Sequence, residues 1–150
     1  MNKKTKTKYE LAKMYEYVRT INDICEKYDN NYVEIACDPL PYNACLMMIV
    51  QLGERGVHIR ETNREFYETC PLRLRDVINM RNRVTHGYSQ INTKIFMDTL
   101  RDDMPFFKEY IEQEVDKEIL EDPYILYEIE YDDFIEEKER EQNEELELWP

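Results

Sequence analysis

An all-α bundle is the fold class this sequence predicts, on three observations. Glycine is scarce, with 3 in 150 residues, so positions that demand a left-handed backbone are few. Apolar residues recur at alternating spacings of three and four over long stretches, which is the period of one buried helix face. The body of the chain contains no Val/Ile/Thr-rich alternation of period two, and the breaks between apolar stripes are short. A length of 150 residues with 42% hydrophobic content suits one domain with a real core.

Taken in order, residues 3–8 form a short basic leader expected to fray. Leu11, Met14, Val18, Ile21, Cys25 and Tyr28 then mark a long amphipathic helix over about 8–28. Asp29-Asn30-Asn31 ends it, and Asp38-Pro39-Leu40-Pro41 marks a second break whose prolines suit the first turn of a following helix, expected over 42–57. Its 44–50 section is apolar almost all round, as in a helix covered on several sides, and is the candidate for the central core helix or a dimer face. Residues 61–69 have only Phe66 and Tyr67 as anchors and predict a short polar helix or a loop. A further helix follows Pro71, over 72–86. A fourth long helix is capped by Asn92 or Thr93 and carries Phe96, Leu100, Met104, Phe107, Ile111 and Val115, with Pro105 expected to kink or restart it.

From 118 to 150 the character changes, dividing the chain into a helical domain over 1–117 and an acidic, aromatic-containing extension over 118–150. The net charge of -13 belongs to the end of the chain: residues 1–110 carry 17 Lys and Arg against 16 Asp and Glu, whereas residues 111–150 carry 3 against 17. One reading of the extension is a solvated acidic tail, disordered at its end. In the other, Ile125, Ile129 and Phe134 dock on the bundle while the carboxylates face a basic surface of this protein or of a partner. The longest apolar run is far too short to cross a bilayer and the first residues are polar, so a soluble, cytoplasmic protein is expected. Cys25, Cys37, Cys45 and Cys70 form no C-x-x-C pair and fall among apolar helical positions, so they are expected as reduced core residues.

The chemistry concentrates in Met80-Arg81-Asn82-Arg83-Val84-Thr85-His86-Gly87-Tyr88. The apolar stripe Leu74, Val77, Ile78, Val84 passes through position 81, so Arg81 requires a carboxylate, a subunit neighbour or a bound phosphate, because an unpaired buried charge is costly. Gly87 is placed to end the helix in the left-handed conformation, which sets His86 at a helix C-terminus. Cationic side chains are favoured there, and histidine is the side chain that changes charge near neutral pH. On one helix Arg81 and His86 stand roughly 140° apart around the axis and about 7.5 Å along it, so they converge only if the helix ends near His86 or a second copy supplies the complementary group. Asn82 and His86, at i,i+4, share a face. Arg83 adds to a mildly basic region, with eight basic residues against five acidic ones between Gly53 and Ile95. His58, four residues after Glu54, is a weaker candidate, since two ligands do not make a metal site and a surface ion pair is the expectation.

Arg81-x4-His86-x-Tyr88, preceded by Met80 and followed by Ile91, resembles the signature of the HepT-like HEPN family, small helical toxins encoded beside a minimal nucleotidyltransferase antitoxin. The run from Pro41 into Gly53-Glu54 is similar to that family's second helix. Ile95-Phe96 and Asp102-Asp103-Met104-Pro105 are similar to its last one. The resemblance covers about 9–115, leaves the acidic extension outside, and departs from the family at Asn92, where similar proteins carry an acid.

It implies a HEPN-type bundle of four to five helices and the toxin of a type VII-like toxin–antitoxin system. Its activity would be endonucleolytic cleavage of RNA, without metal or cofactor, at a cleft shared by the two protomers of a homodimer. Arg81 and His86 would be the catalytic residues, with Asn82 and Arg83 supporting them. Tyr88 would be the hydroxyl to which the partner nucleotidyltransferase, drawing on ATP, attaches AMP. From the residues alone Tyr88 reads first as an interfacial aromatic stacked on Arg81, the AMP-accepting role coming from the resemblance, and Arg81 and His86 also read as groups that merely knit an interface. The alternative function is a non-catalytic HEPN module that binds nucleotide or scaffolds a nucleotidyltransferase.

Overall fold

A computed structural model of the chain describes residues 2–87 and 91–148, with the backbone alone described at 123, 124, 126, 127, 129–131 and 133. The described residues are all-helical, as the spacing predicts. Helix α1 spans Lys3–Lys27 and buries Leu11, Met14, Val18, Ile21 and Cys25. It begins five residues earlier than the apolar stripe indicates. Asn2 accepts a hydrogen bond from the Thr5 N–H (2.8 Å), and Thr7 is buried, taking a hydrogen bond from the Asn63 amide (2.9 Å). The basic leader is therefore the tethered first turn of α1 and not a frayed end. The helix closes on Asp29 and Asn30, both at positive φ, a conformation that Asp and Asn tolerate better than other side chains.

Helix α2, Tyr32–Cys37, has no counterpart in the sequence reading, because six residues burying only Ile35 are too short to show a period. Asp38 then caps α3, Pro39–Thr62, by accepting from the Leu40 N–H, with a proline in the first turn. α3 extends beyond the expected 42–57 at both ends. Its 44–50 section buries Cys45, Ile49 and Val50, yet Met47 stays 56% exposed and Leu40 80% exposed, so one side of this helix is uncovered. Asn63 ends α3 and caps α4, Arg64–Thr69, which buries none of its residues.

Helix α5, Leu74–Thr85, carries the motif. Asn92 caps α6, Thr93–Asp98, by accepting from the Lys94 and Ile95 N–H groups at 2.9 and 3.2 Å. The break expected at Pro105 takes the form of a π-helical turn, Thr99–Asp103, leading into α7, Met104–Glu114. Proline cannot donate to the carbonyl of Arg101, and the widened turn just before it absorbs that loss while keeping Phe96, Leu100, Met104, Phe107 and Ile111 in the core. Helices α1, α3, α5 and α7 pack around one hydrophobic cluster.

Two expectations are corrected here. Cys25 and Cys45 are buried, with burial pushing their thiols up to about 11 and about 12, and Cys70 is partly buried, but Cys37 is exposed at the end of α2. The acidic extension is helical: α8 covers Lys117–Glu121 and α9 covers Pro123–Glu147. Glu, Lys, Arg, Gln and Leu are strong helix formers, and no Gly or Pro interrupts 124–147. α9 touches α1 and α8; Ile125 and Ile135 are partly covered, Phe134 is exposed, and 136–148 are exposed throughout.

Helices α3 and α5 approach closely at the two glycines of α3. A Cβ added at Gly53 would sit 2.8 Å from the Val77 carbonyl oxygen and collide with the Arg81 stem, and one added at Gly56 would sit 3.1 Å from Ile78. Gly53→Ala is therefore expected to destabilise the chain by about 1–3 kcal/mol, as overpacking against fixed backbone does. Urea unfolding followed by circular dichroism measures it, and an unchanged midpoint would remove the close approach from the account.

Candidate active site

The α3–α5 contact positions the motif arginine. With no side chain on Gly53, α5 lies close enough for Arg81 to rest against α3, and the guanidinium is turned along the interface toward the next residue of α3, Glu54. Arg81 Nε donates to Glu54 Oε1 at 2.6 Å, and its Nη1 donates to Asn82 Oδ1 at 2.7 Å. Both side chains of the ion pair are about one-quarter to one-third exposed (26% and 32%). The partner that an arginine on an apolar stripe requires is thus a carboxylate from the neighbouring helix. Two of its N–H groups are committed and the planar fork is held in one orientation, while its Nη2 edge has no partner among the described residues.

His86 stands where the glycine argument puts it. It is the C-cap of α5, its N–H bonded to the Asn82 carbonyl at 3.0 Å, and Gly87 follows at φ 67°. Its ring is exposed at the negative end of the helix dipole. Asn82 serves Arg81 directly, through its side-chain oxygen. Arg83 is exposed on the other side of α5 and does not join the Arg81–Glu54 pair. Tyr88 lies outside the described residues.

Arg83 instead borders a cleft of about 310 Å³ between α5 and α6, with Met80 and Ile91 among its apolar lining and Asn79, Asn92 and Asp98 among its polar lining. Arg73 and Asp103 close one end, 3.9 Å apart, and burial pushes the Asp103 carboxyl up against the opposing pull of Arg73.

Sequence reasoning missed the part played by Glu54, which it paired with His58. His58 Nδ1 instead faces Glu10 Oε1 at 3.5 Å, while the other Glu10 oxygen takes the Arg55 guanidinium at 3.2 Å. Glu10 is buried in α1, and this three-residue group ties α1 to α3. A signal for Glu54 was present, because Gly53 and Gly56 at i,i+3 mark the face of α3 that a second helix approaches, and Glu54 borders it. Among the described residues no three His, Cys, Asp or Glu side chains cluster to hold a metal ion.

A bundle whose motif helix presents a fixed guanidinium and an exposed imidazole has the parts of a phosphodiester-handling protein. A family model described as "Ribonuclease HepT-like" matches residues 14–114, more than half of the chain. The chain belongs to the HepT-like ribonuclease family of HEPN proteins. No curated protein and no solved structure matches it. No helix among the described residues is long and apolar enough to cross a membrane.

Proposed function

We propose that this chain is a metal-independent endoribonuclease, the toxin of a two-gene toxin–antitoxin system, working as a homodimer with a shared cleft. The observation that carries the reading is the Arg81 guanidinium, held by Glu54 and Asn82 with one edge left over, on the helix that ends in an exposed His86. RNA cleavage by transesterification needs three things. A base takes the 2′-hydroxyl proton as that oxygen attacks phosphorus, an acid protonates the departing 5′ oxygen, and positive charge stabilises the five-coordinate phosphorus between them. One chain brings one motif imidazole. Two chains related by a twofold axis bring two, so that one acts as base and the other as acid, with Arg81 supplying the charge. The products are a 2′,3′-cyclic phosphate and a 5′-hydroxyl.

The uncovered side of α3 supports pairing at this face. Leu40, Met47 and Glu54 are spaced by seven, on one stripe that runs from exposed apolar side chains to the Arg81 ion pair. The expected result is cleavage of total RNA by the purified chain in excess EDTA, from a species of twice the 18.4 kDa chain mass in light scattering. A monomer would end the shared-cleft mechanism, and an inert wild type would end the ribonuclease. The second reading, a non-catalytic HEPN module binding nucleotide or scaffolding a nucleotidyltransferase, draws on the same ion pair, because a guanidinium already engaged by Glu54 also suits a structural role.

In this proposal Tyr88 is the regulatory residue. It follows Gly87 in the sequence, three residues past the end of the motif helix at Thr85, and an AMP ester on its hydroxyl would add a phosphodiester that competes with RNA for the guanidinium and fills the cleft. The acidic α9 would steer a basic partner surface to the complex, an effect on encounter rate that weakens with salt. Co-expression with the neighbouring nucleotidyltransferase is expected to add about 329 Da per AMP to the intact mass. Retention of every adduct in Tyr88→Phe would remove this tyrosine from the mechanism.

A further inference from the structure

Resting on the ribonuclease reading, we infer that the outer edge between α1 and α3, carrying His58, Lys6 and Lys3, holds the RNA backbone on the side of the scissile phosphate away from His86. The contacts between helices set the directions. Thr7 meets Asn63, and Glu10 meets Arg55 and His58, so α1 runs antiparallel to α3. Gly53 meets Val77 and Arg81 while Gly56 meets Leu74 and Ile78, so α5 also runs antiparallel to α3. From Arg81, His86 therefore lies toward the N-terminus of α3 and His58 toward its C-terminus, one turn or about 6 Å along α3 from Glu54 and on the same uncovered side. The guanidinium stands between the two imidazoles along the bundle.

His58 is fixed in a way that suits an anion. Its side chain is 47% exposed and its Nδ1 faces Glu10 Oε1 at 3.5 Å, while Arg55 takes the other oxygen of Glu10. A buried carboxylate is costly unless cations meet it, so the Glu10 carboxylate and the two side chains hold one another in place. The Nε2 of His58 has no partner among the described residues. An imidazole that donates from both nitrogens is a cation, and Glu10 at Nδ1 prepares Nε2 to donate to a phosphate oxygen.

Beyond His58 the edge is built from α1. Lys6 and Lys3 precede Glu10 by four and seven residues, so they share its side of the helix and lie about 6 and 10 Å further along, away from Arg81. Both are exposed, neither has a carboxylate within ion-pair distance among the described residues, and the first turn of α1 contains no acid. Cations there oppose the helix dipole, so the fold gains nothing from them. The turn is nevertheless anchored, by the Asn2 cap and by the bond between Thr7 and Asn63. The uncovered stripe of α3 continues instead to Glu61, an exposed acid seven residues after Glu54, which repels a phosphate and directs a strand from His58 across to α1. None of the large exposed apolar side chains among the described residues lies on this edge, so it lacks the anchor of a protein interface. Isolated cations in a row fit a phosphate backbone, whatever its bases.

The test is equilibrium binding of a fluorescent single-stranded RNA, over a series of salt concentrations, to the full chain carrying His86→Ala, which separates binding from cleavage. Adding Lys3→Gln and Lys6→Gln together is expected to weaken binding about tenfold at low salt and to flatten the slope of log K against log salt by roughly 1.4, for two phosphate contacts at about 0.7 each. Adding His58→Asn, which can keep a donor toward Glu10 but removes Nε2, is expected to weaken binding several-fold. Lys117→Gln with Lys138→Gln, the same loss of charge at exposed positions of α8 and α9, is expected to change neither affinity nor slope. With His86 intact, the Lys3 and Lys6 substitutions are expected to raise KM for the long RNA at unchanged kcat, and to leave cleavage of a dinucleoside monophosphate, too short to reach α1, as it was. Unchanged RNA affinity in the lysine pair or in His58→Asn, or an equal loss in the α8 and α9 pair, overturns the track and leaves the ribonuclease reading standing. A wild type that neither binds nor cleaves RNA overturns both.

Discussion

His86→Ala is expected to abolish all but about one part in 10²–10⁴ of the RNA cleavage, the range that one general acid or base supplies. If the two imidazoles of a dimer act as acid and base, the substitution removes both at once, which places the loss at the upper end. The fold should not change. The ring is exposed, the hydrogen bond from position 86 to the Asn82 carbonyl is made by the backbone, and Gly87 keeps its left-handed conformation. Gel-resolved cleavage of a defined RNA, with circular dichroism on the same preparation, is the measurement. A folded His86→Ala chain that cleaves at the wild-type rate would assign the activity to another group or to a contaminant.

Much of the architecture was legible because helical period survives in a chain with few glycines. The stripe over Leu11 to Cys25 and the stripe over Phe96 to Ile111 are both buried as their spacing says. The cap at Asn92 and the stop at Gly87 also stand where their chemistry puts them. What was not legible depends on distance in space. Helix α2 is too short to carry a period, and the first turn of α1 is held by Asn63, 56 residues away from Thr7. That Arg81 needed an acid followed from its place on an apolar stripe. Which acid it would be did not follow, since Glu54 lies 27 residues earlier and the local i,i+4 rule pairs it with His58. The cleft beside Arg83 was invisible for the same reason, being built from α5, α6 and the π-helical turn together.

Glu54 sets the second large effect. A guanidinium stabilises the transition state only if its free edge points at the phosphate, and the bond from Arg81 Nε to Glu54 Oε1, with the bond to Asn82, fixes that direction. Glu54→Ala leaves the fork on a mobile stem and is expected to lower kcat by about 10²-fold, the scale of an ångström of misplacement, with a smaller change in KM. Glu54→Gln separates orientation from charge. The amide oxygen still accepts from Nε, so if orientation is what Glu54 provides, the glutamine variant should stay within several-fold of wild type. Removing the negative charge also frees the guanidinium to hold RNA more strongly, so KM for Glu54→Gln is expected to fall. Single-turnover and steady-state cleavage by the three proteins, below their unfolding temperatures, gives the comparison. If glutamine were as damaging as alanine, charge compensation would replace orientation as the role of Glu54; if alanine were harmless, the ion pair would belong to the packing of α3 on α5 alone.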